Sequence, residues 1–232
     1  MRKGHSLLTK IISGDHLRKS RLHDEKGNFA GWGNICRHLA PAAATALLRV
    51  AVGYRRQLPW ISYSAIRQLR QFLTKESRVL EFGSGMSTIW YAKHAGEVCS
   101  VEDYAPWFES VSGIIERQKL ANVHYKFAAT ADEYFSFKSE DSRGFDLIMI
   151  DGSWRSKCVA HAKGLLKPGG ILYVDNTDKD SAPGGDGDLR VAEALAREFA
   201  AERGAQVREF TDFAPAQLFV EQGLLIKLPG EK

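Results

Sequence analysis

Five short apolar runs govern what this chain can become. They are RVLEF (78–82), EVCSVE (97–102), VHYKFA (123–128), FDLIMI (145–150) and GILYV (170–174). Helical segments separate them: STIWYAKHA (87–95), PWFESVSGIIERQKL (106–120) and SKCVAHAKGLL (156–166). Strands that are apolar at nearly every position, rather than at alternate ones, are buried on both faces. Alternating such strands with helices predicts a parallel sheet covered on each side. LKPGG (166–170) reads as a helix stop, because Pro cannot continue a helix and Gly supplies the turn. Residues 188–203 predict a last helix, and VREFTDF (207–213) with LFVEQGLLIKL (218–228) an antiparallel hairpin at the sheet edge. The expected fold class is α/β: a Rossmann-like, doubly wound, mostly parallel seven-stranded sheet with a C-terminal antiparallel hairpin.

Charge divides the chain. Residues 1–60 carry 11 Lys+Arg and 3 Asp+Glu, whereas residues 61–232 carry 21 and 25. The expected organisation is a basic, partly helical extension over 1–58 and a ligand-binding domain over 59–232. PAAATALLRVAVGYRR (41–56) reads as a helix with Pro near its start. Arg49 interrupts its apolar stretch, so a membrane span is not expected; packing on the core is expected, with a position on a membrane surface as the alternative. Ile66, Leu69, Phe72 and Leu73 continue at helical spacing. A basic arm suits anionic partners. No nucleic-acid motif accompanies it, so direct nucleic-acid binding is not expected. The three cysteines, Cys36, Cys99 and Cys158, form no C-x-x-C pair, which fits a reducing, cytoplasmic setting. A homodimer stays open.

The first strand runs into EFGSGMST (81–88). In open α/β sheets, ligands bind beyond the carboxyl ends of the strands. Gly83 and Gly85 let a ligand approach the backbone, and Ser87 or Thr88 suits a helix cap. Glu102 follows at the end of the second strand, where a carboxylate accepts bonds from ribose hydroxyls. No lysine follows the glycines, so a P-loop is excluded. The third glycine of a dinucleotide fingerprint is replaced by Thr88. Glu81, in a strand expected to be buried, would repel a pyrophosphate but suits a cation or the amides of the turn.

These motifs, VLEFGSG followed by SVE, resemble the first two motifs of class I S-adenosylmethionine-dependent methyltransferases. PWISYSAIRQL, VLEFGSGMSTIWYAK, CSVEDYAPWFESV, FDLIMIDGSWR and LLKPGGILYVDNTD, in that order, resemble a bacterial small-molecule branch, over roughly residues 60–228. The resemblance implies S-adenosyl-L-methionine as cofactor. Glu81, Gly83, Ser84 and Gly85, with Ser87 and Thr88 beside them, would face its methionine end, and Glu102 with Asp103 the ribose. Asp151 would border it, and Tyr104 would flank the adenine. Many relatives place an acid after the third strand. Here Ala129 and Thr130 stand there, and Asp132 is the nearest carboxylate.

IMIDGSW puts Asp151, and YVDNTD puts Asp175 and Asn176, at the carboxyl ends of the later strands. Two carboxylates and an amide oxygen form a hard, oxygen-rich set suited to Mg²⁺. A metal there would hold a substrate hydroxyl and make Asp151 and Asp175 catalytic. Acids at such positions also cap helices or bind substrate without metal. The set resembles that of the catechol O-methyltransferase group. That group's lysine, three residues after the first acid, is Trp154 here, followed by Arg155. Trp154 and Arg155 are therefore expected to meet the substrate, with Arg155 pairing to a carboxylate as the alternative. NTDKDSAPGGDGDL (176–189) reads as a loop over that site. The expected activity is methyl transfer to a small-molecule acceptor, at oxygen, with Mg²⁺ as a candidate second cofactor. A nucleotide-dependent oxidoreductase and an inactive cofactor-binding protein of the same fold are the alternatives.

Overall fold

A computed structural model describes residues 17–179 and 187–230. Part of the expected loop 176–189 thus lies outside the described residues, as does the start of the basic extension. The elements run α1 (Trp32–Val52), α2 (Tyr63–Phe72), β1 (Arg78–Phe82), α3 (Met86–His94), β2 (Glu97–Glu102), α4 (Ala105–Arg117) and β3 (Val123–Phe127). They continue with α5 (Ala131–Phe135), β4 (Phe145–Ile150), α6 (Arg155–Ala162), β5 (Leu166–Val174), α7 (Asp188–Glu202), β6 (Gln206–Phe213) and β7 (Val220–Lys227). All seven strands join one sheet in the order β3-β2-β1-β4-β5-β7-β6. β1 to β5 pair in parallel, and β7 runs antiparallel to both β5 and β6. The expected doubly wound sheet with its terminal hairpin is what forms.

The apolar runs pack as two layers because successive side chains point to opposite faces. Leu80, Phe82, Ile148, Ile150, Leu172 and Val174 share one core with Cys158, Val159, Ala196 and Phe199 from α6 and α7. Val79, Leu147, Met149, Ile171 and Tyr173 share the other with Ile66, Leu69, Trp90 and Tyr91 from α2 and α3. This alternation places Glu81 on the second face, beneath α3.

Local structure departs from expectation at three places. LKPGG is not a helix stop: α6 ends at Ala162, and residues 166–170 open β5, with a register shift between Phe145 and Leu147 on β4. The short helix α5 was invisible to periodicity. It forms because Thr130 accepts a bond from Glu133 N at its start. Finally, α1 begins nine residues before Pro41 and carries that proline inside. An internal proline removes a backbone donor and crowds the preceding turn. Here Thr45 Oγ1 donates toward Pro41 O at 2.8 Å and Ala42 O at 3.0 Å, tying the next turn together. Gly53, in the left-handed conformation, ends the helix.

The extension is partly bound to the sheet domain. Lys26 Nζ lies 2.8 and 2.9 Å from the two Glu193 carboxylate oxygens on α7. Glu25 N donates to Asp178, which also accepts from Gln222 N on β7. Helix α1 touches the sheet along a narrow stripe, His38, Ala42, Thr45 and Ala46. His38 Nδ1 is 2.7 Å from the buried Asp212 carboxylate of β6, which also accepts from Ser64 N and Oγ on α2. By length and composition α1 is the one helix among the described residues that is apolar enough to cross a membrane.

Asp212 therefore joins α1, α2 and β6. Removing one member of a buried, hydrogen-bonded set leaves the others unanswered, at about 3 kcal/mol. We expect Asp212→Ala to lower unfolding free energy by about that amount, read as a shifted midpoint in urea with little change in slope. An unchanged midpoint would show that the junction carries no stability.

Candidate active site

The strand order reverses between β1 and β4, and at this switch point the ends of both strands open onto one crevice. Glu81, near the end of β1, is completely buried. Its Oε2 accepts from Thr88 Oγ1 at 2.5 Å and Ser100 Oγ at 2.7 Å. Its Oε1 has no donor in hydrogen-bonding geometry. Burial pushes the carboxyl from 4.5 up to about 7, against the pull of Ser87, Thr88 and Ser100, and the charge of Asp151 adds to the rise. Thr88 also accepts from Gly85 N at 3.0 Å, so one hydroxyl couples the turn to the carboxylate.

The turn itself is backbone against backbone. Gly83 has φ 94°, and a Cβ built on it would stand 2.6 Å from Gly152 Cα, at the exit of β4. A Cβ on Gly152 would strike the Tyr134 hydroxyl on α5 at 1.9 Å. Neither site admits a side chain.

Glu102 closes the turn from the β2 side. It accepts from Ser84 N (3.1 Å), Ser84 Oγ (2.7 Å), Asp103 N (3.1 Å) and Tyr104 N (3.0 Å). Ser84 Oγ has a second partner in the Tyr125 hydroxyl at 2.6 Å, and Ser84 O accepts from Trp107 Nε1 at 2.7 Å. Asp103 turns the other way and accepts from Ser153 Oγ at 2.7 Å, bracing the β4 exit. Tyr104 stays exposed. Asp132 is exposed too, and its neighbour Glu133 reaches back to Ala129 N instead.

Asp151, Asp175 and Asn176 do come together, but around a guanidinium. Arg155 donates to Asp151 Oδ1 (3.2 Å), Asn176 Oδ1 (3.3 Å) and the carbonyls of Asp151 (3.0 Å), Gly152 (2.9 Å) and Asp175 (2.5 Å). Burial raises the Asp151 carboxyl above the ordinary range, while Arg155 and Lys179 oppose the rise. Burial, with the charges of Asp151 and Glu221, raises Asp175 further. Among the described residues no group of three or more His, Cys, Asp or Glu is placed to hold a metal ion. Of the oxygens expected to bind Mg²⁺, Asp151 Oδ1 and Asn176 Oδ1 thus face a resident cation, which reaches Asp175 at its backbone carbonyl.

Trp154 packs edge-on against Tyr134, ring centroids 5.4 Å apart. With Arg155, Asn176, Lys179, Asp188 and Val191 it lines an open cleft of about 770 Å³ beside the glycine turn. Several members of this region gave no sequence signal. Ser100 holds Glu81 from the neighbouring strand. Glu221 of β7 pairs with Lys179 at 2.9 Å. The Tyr91 hydroxyl is buried without a partner, and the charges of Glu81, Asp151 and Asp175 act on it. Its apolar surroundings in α3 made it look like core alone. A second-strand serine opposite a buried glutamate was the one clue available.

No family model matches the chain, and no curated protein does. Solved structures do. The O-methyltransferase from Bacillus cereus, in complex with S-adenosylhomocysteine, is 21% identical over 84% of this chain and 94% of its own, with TM-score 0.60. TomG, an O-methyltransferase from Streptomyces achromogenes in complex with S-adenosylmethionine, is 19% identical over 82% and 90%, with TM-score 0.57. Cofactor-bound Rv0187 from MTB is 25% identical over 82% and 91%, with TM-score 0.55. The fold is that of the class I S-adenosylmethionine-dependent methyltransferases.

The buried carboxyl of Glu81 makes stability depend on pH. Its folded value, near 7, exceeds its unfolded value, near 4.5. The protonated form is favoured by folding, so this contribution is full below about pH 4.5 and is lost as pH rises through about 7. A shift of this size corresponds to about 3 kcal/mol. Glu81→Gln should flatten the decline, seen as a melting temperature that falls less between about pH 5 and pH 8 than in the parent. Equal declines in both proteins would remove Glu81 as the cause.

Proposed function

We propose that this chain is a methyltransferase that takes its methyl group from S-adenosyl-L-methionine and passes it to an oxygen of a small molecule. The observation that carries this reading is the unanswered oxygen of buried Glu81 at the switch point. Around it, the carboxyls of Glu81, Asp151, Asp175 and Glu221 outnumber the cations Arg155 and Lys179. Such a crevice favours a cationic ligand and repels a pyrophosphate, which argues against the oxidoreductase alternative. When bound, S-adenosylmethionine supplies an electrophilic methyl group on a sulfonium.

The protein's part is grip and alignment. Glu81 and the turn at Gly83, Ser84 and Gly85, held by Ser87 and Thr88, would take the amino-acid end. The four donors on Glu102 are local, and Ser84 Oγ is the one with a ready second partner. Ribose hydroxyls would therefore displace Ser84 Oγ onto Tyr125, while Asp103 keeps the β4 exit in place. Trp154 forms a wall of the acceptor cleft. Methyl transfer is an in-line displacement, so holding the acceptor oxygen in line and excluding water supplies most of the rate. Asp151 and Asp175 serve this alignment from the strand ends.

We assign the positive charge of the site to Arg155 in place of Mg²⁺. The guanidinium bridges Asp151 and Asn176, pre-organises the loops after β4 and β5, and stands fixed beside the acceptor cleft. Cys36, Cys99 and Cys158 are all free thiols, which supports a reducing, cytoplasmic setting.

Calorimetry should show S-adenosylhomocysteine binding and no NAD binding. Glu102→Ala should weaken that binding by about 10- to 100-fold, the worth of charged hydrogen bonds. Unchanged affinity would remove Glu102 from the ribose site. Binding without turnover on any hydroxylated acceptor would favour the inactive alternative. Chelators should leave thermal stability and turnover unchanged. A rise in melting temperature with Mg²⁺ that Asp175→Ala abolishes would restore the metal and displace Arg155 from its role.

A further inference from the structure

Helix α1 buries one stripe and leaves the rest of its surface bare. Trp32, Leu39, Leu47, Leu48, Val50 and Val52 are exposed large apolar residues, Leu47 at 67% and Val50 at 84%. At about 100° per residue, Trp32, Leu39, Leu47 and Val50 fall within roughly 80° of one another, so they form a single apolar line along the helix. Contiguous exposure of this kind marks an interaction surface.

The charge pattern says what covers it. From Lys26 to Lys75 the chain contains eight Lys and Arg residues and no Asp or Glu. Arg37 lies on the helix itself and is exposed, and Arg55 and Arg56 follow its end, also exposed. A second copy docked face to face would bring like charges together, with no acid in the stretch to answer them. An anionic bilayer answers both features at once: its acyl boundary takes the apolar line and its headgroups take the arginines. Exposed aromatic residues stand at the two ends, Trp32 at the start of the apolar line and Tyr54 just past it, where amphipathic rings suit the headgroup level. A span is disfavoured because His38 and Thr45 hold the helix to the sheet domain through Asp212 and Ala216.

We propose that α1 is a membrane-surface anchor that lays its exposed apolar face into an anionic phospholipid bilayer, with the sheet domain remaining in water.

The exposed Cys36 lies on α1, whereas Cys99 and Cys158 are buried, so a polarity-sensitive fluorophore attaches selectively at Cys36. The full chain, labelled there, is mixed with phosphatidylglycerol-containing or pure phosphatidylcholine vesicles and followed by emission and flotation. The expected result is a blue shift and flotation with the anionic vesicles, weaker by about tenfold or more with neutral ones. Salt at about 0.5 M should reduce it, since screening then acts within roughly 4 Å. Leu47→Glu with Val50→Glu should abolish it while melting temperature and S-adenosylhomocysteine binding stay unchanged, because both side chains are exposed. Three outcomes would overturn the proposal. One is no response to anionic vesicles. Another is a concentration-dependent dimer in vesicle-free buffer that the same two substitutions dissolve, which would make the face a contact between copies. The third is resistance to alkaline extraction, which would make α1 a span.

Discussion

One carboxylate, sealed inside the sheet with only half of its acceptor capacity met, sets the terms for everything around it. Glu81 lies where a parallel strand normally carries an aliphatic side chain, and Val79, Leu80 and Phe82 beside it in β1 are apolar. Thr88 and Ser100 answer one oxygen. Thr88 can do so only if α3 starts directly above β1, and Ser100 only if β2 keeps its register beside it. The glycine turn is short for the same reason. The cost of the unanswered oxygen is tolerated because the surrounding core is deep: Phe82, Leu80 and Tyr91 are all fully buried. A position that weakens the empty fold is the one that a cationic ligand would repay.

The sheet was legible because its central strands, β1, β4 and the second half of β5, are apolar at nearly every position. The residues at the strand ends were legible for a related reason, since Glu81, Glu102, Asp151 and Asp175 are polar groups that interrupt otherwise apolar runs. What escaped the sequence depends on contacts between distant segments. Pairing of Arg155 with a carboxylate is an alternative that the sequence offers, but the bonds of its guanidinium to the carbonyls of Asp151, Gly152 and Asp175 follow from no spacing rule. Tyr91 looked like core because its ring is core, and only its hydroxyl meets the charges. Pro41 looked like a helix start because a proline there is the commoner case. Thr45, four residues later, makes the internal position workable.

The basic extension resolves into two parts with different electrostatic roles. Around residues 18–30 its charges are spent inward: Arg18 pairs with Glu25 at 2.8 Å, and Lys26 joins Arg190 and Arg197 around Glu193. Beyond Lys26 the acids stop, and the arginines turn to aromatic faces or to solvent. Arg55 sits 4.8 Å from the Trp107 ring centroid and 5.7 Å from that of Trp60. Trp107 in turn holds Ser84 O. The segment just past α1 is thus linked, through Trp107, to the glycine turn.

The contact between Gly83 and Gly152 bears on precision. Side chains choose among rotamers, and a site spaced by side chains inherits their spread. Here the glycine turn at one strand end and the carboxylates at the next are separated by two bare backbones in close contact. Their distance is set by atomic radii alone, like a feeler gauge with nothing left to adjust. A reaction that depends on three atoms standing in line gains most from a spacer of that kind.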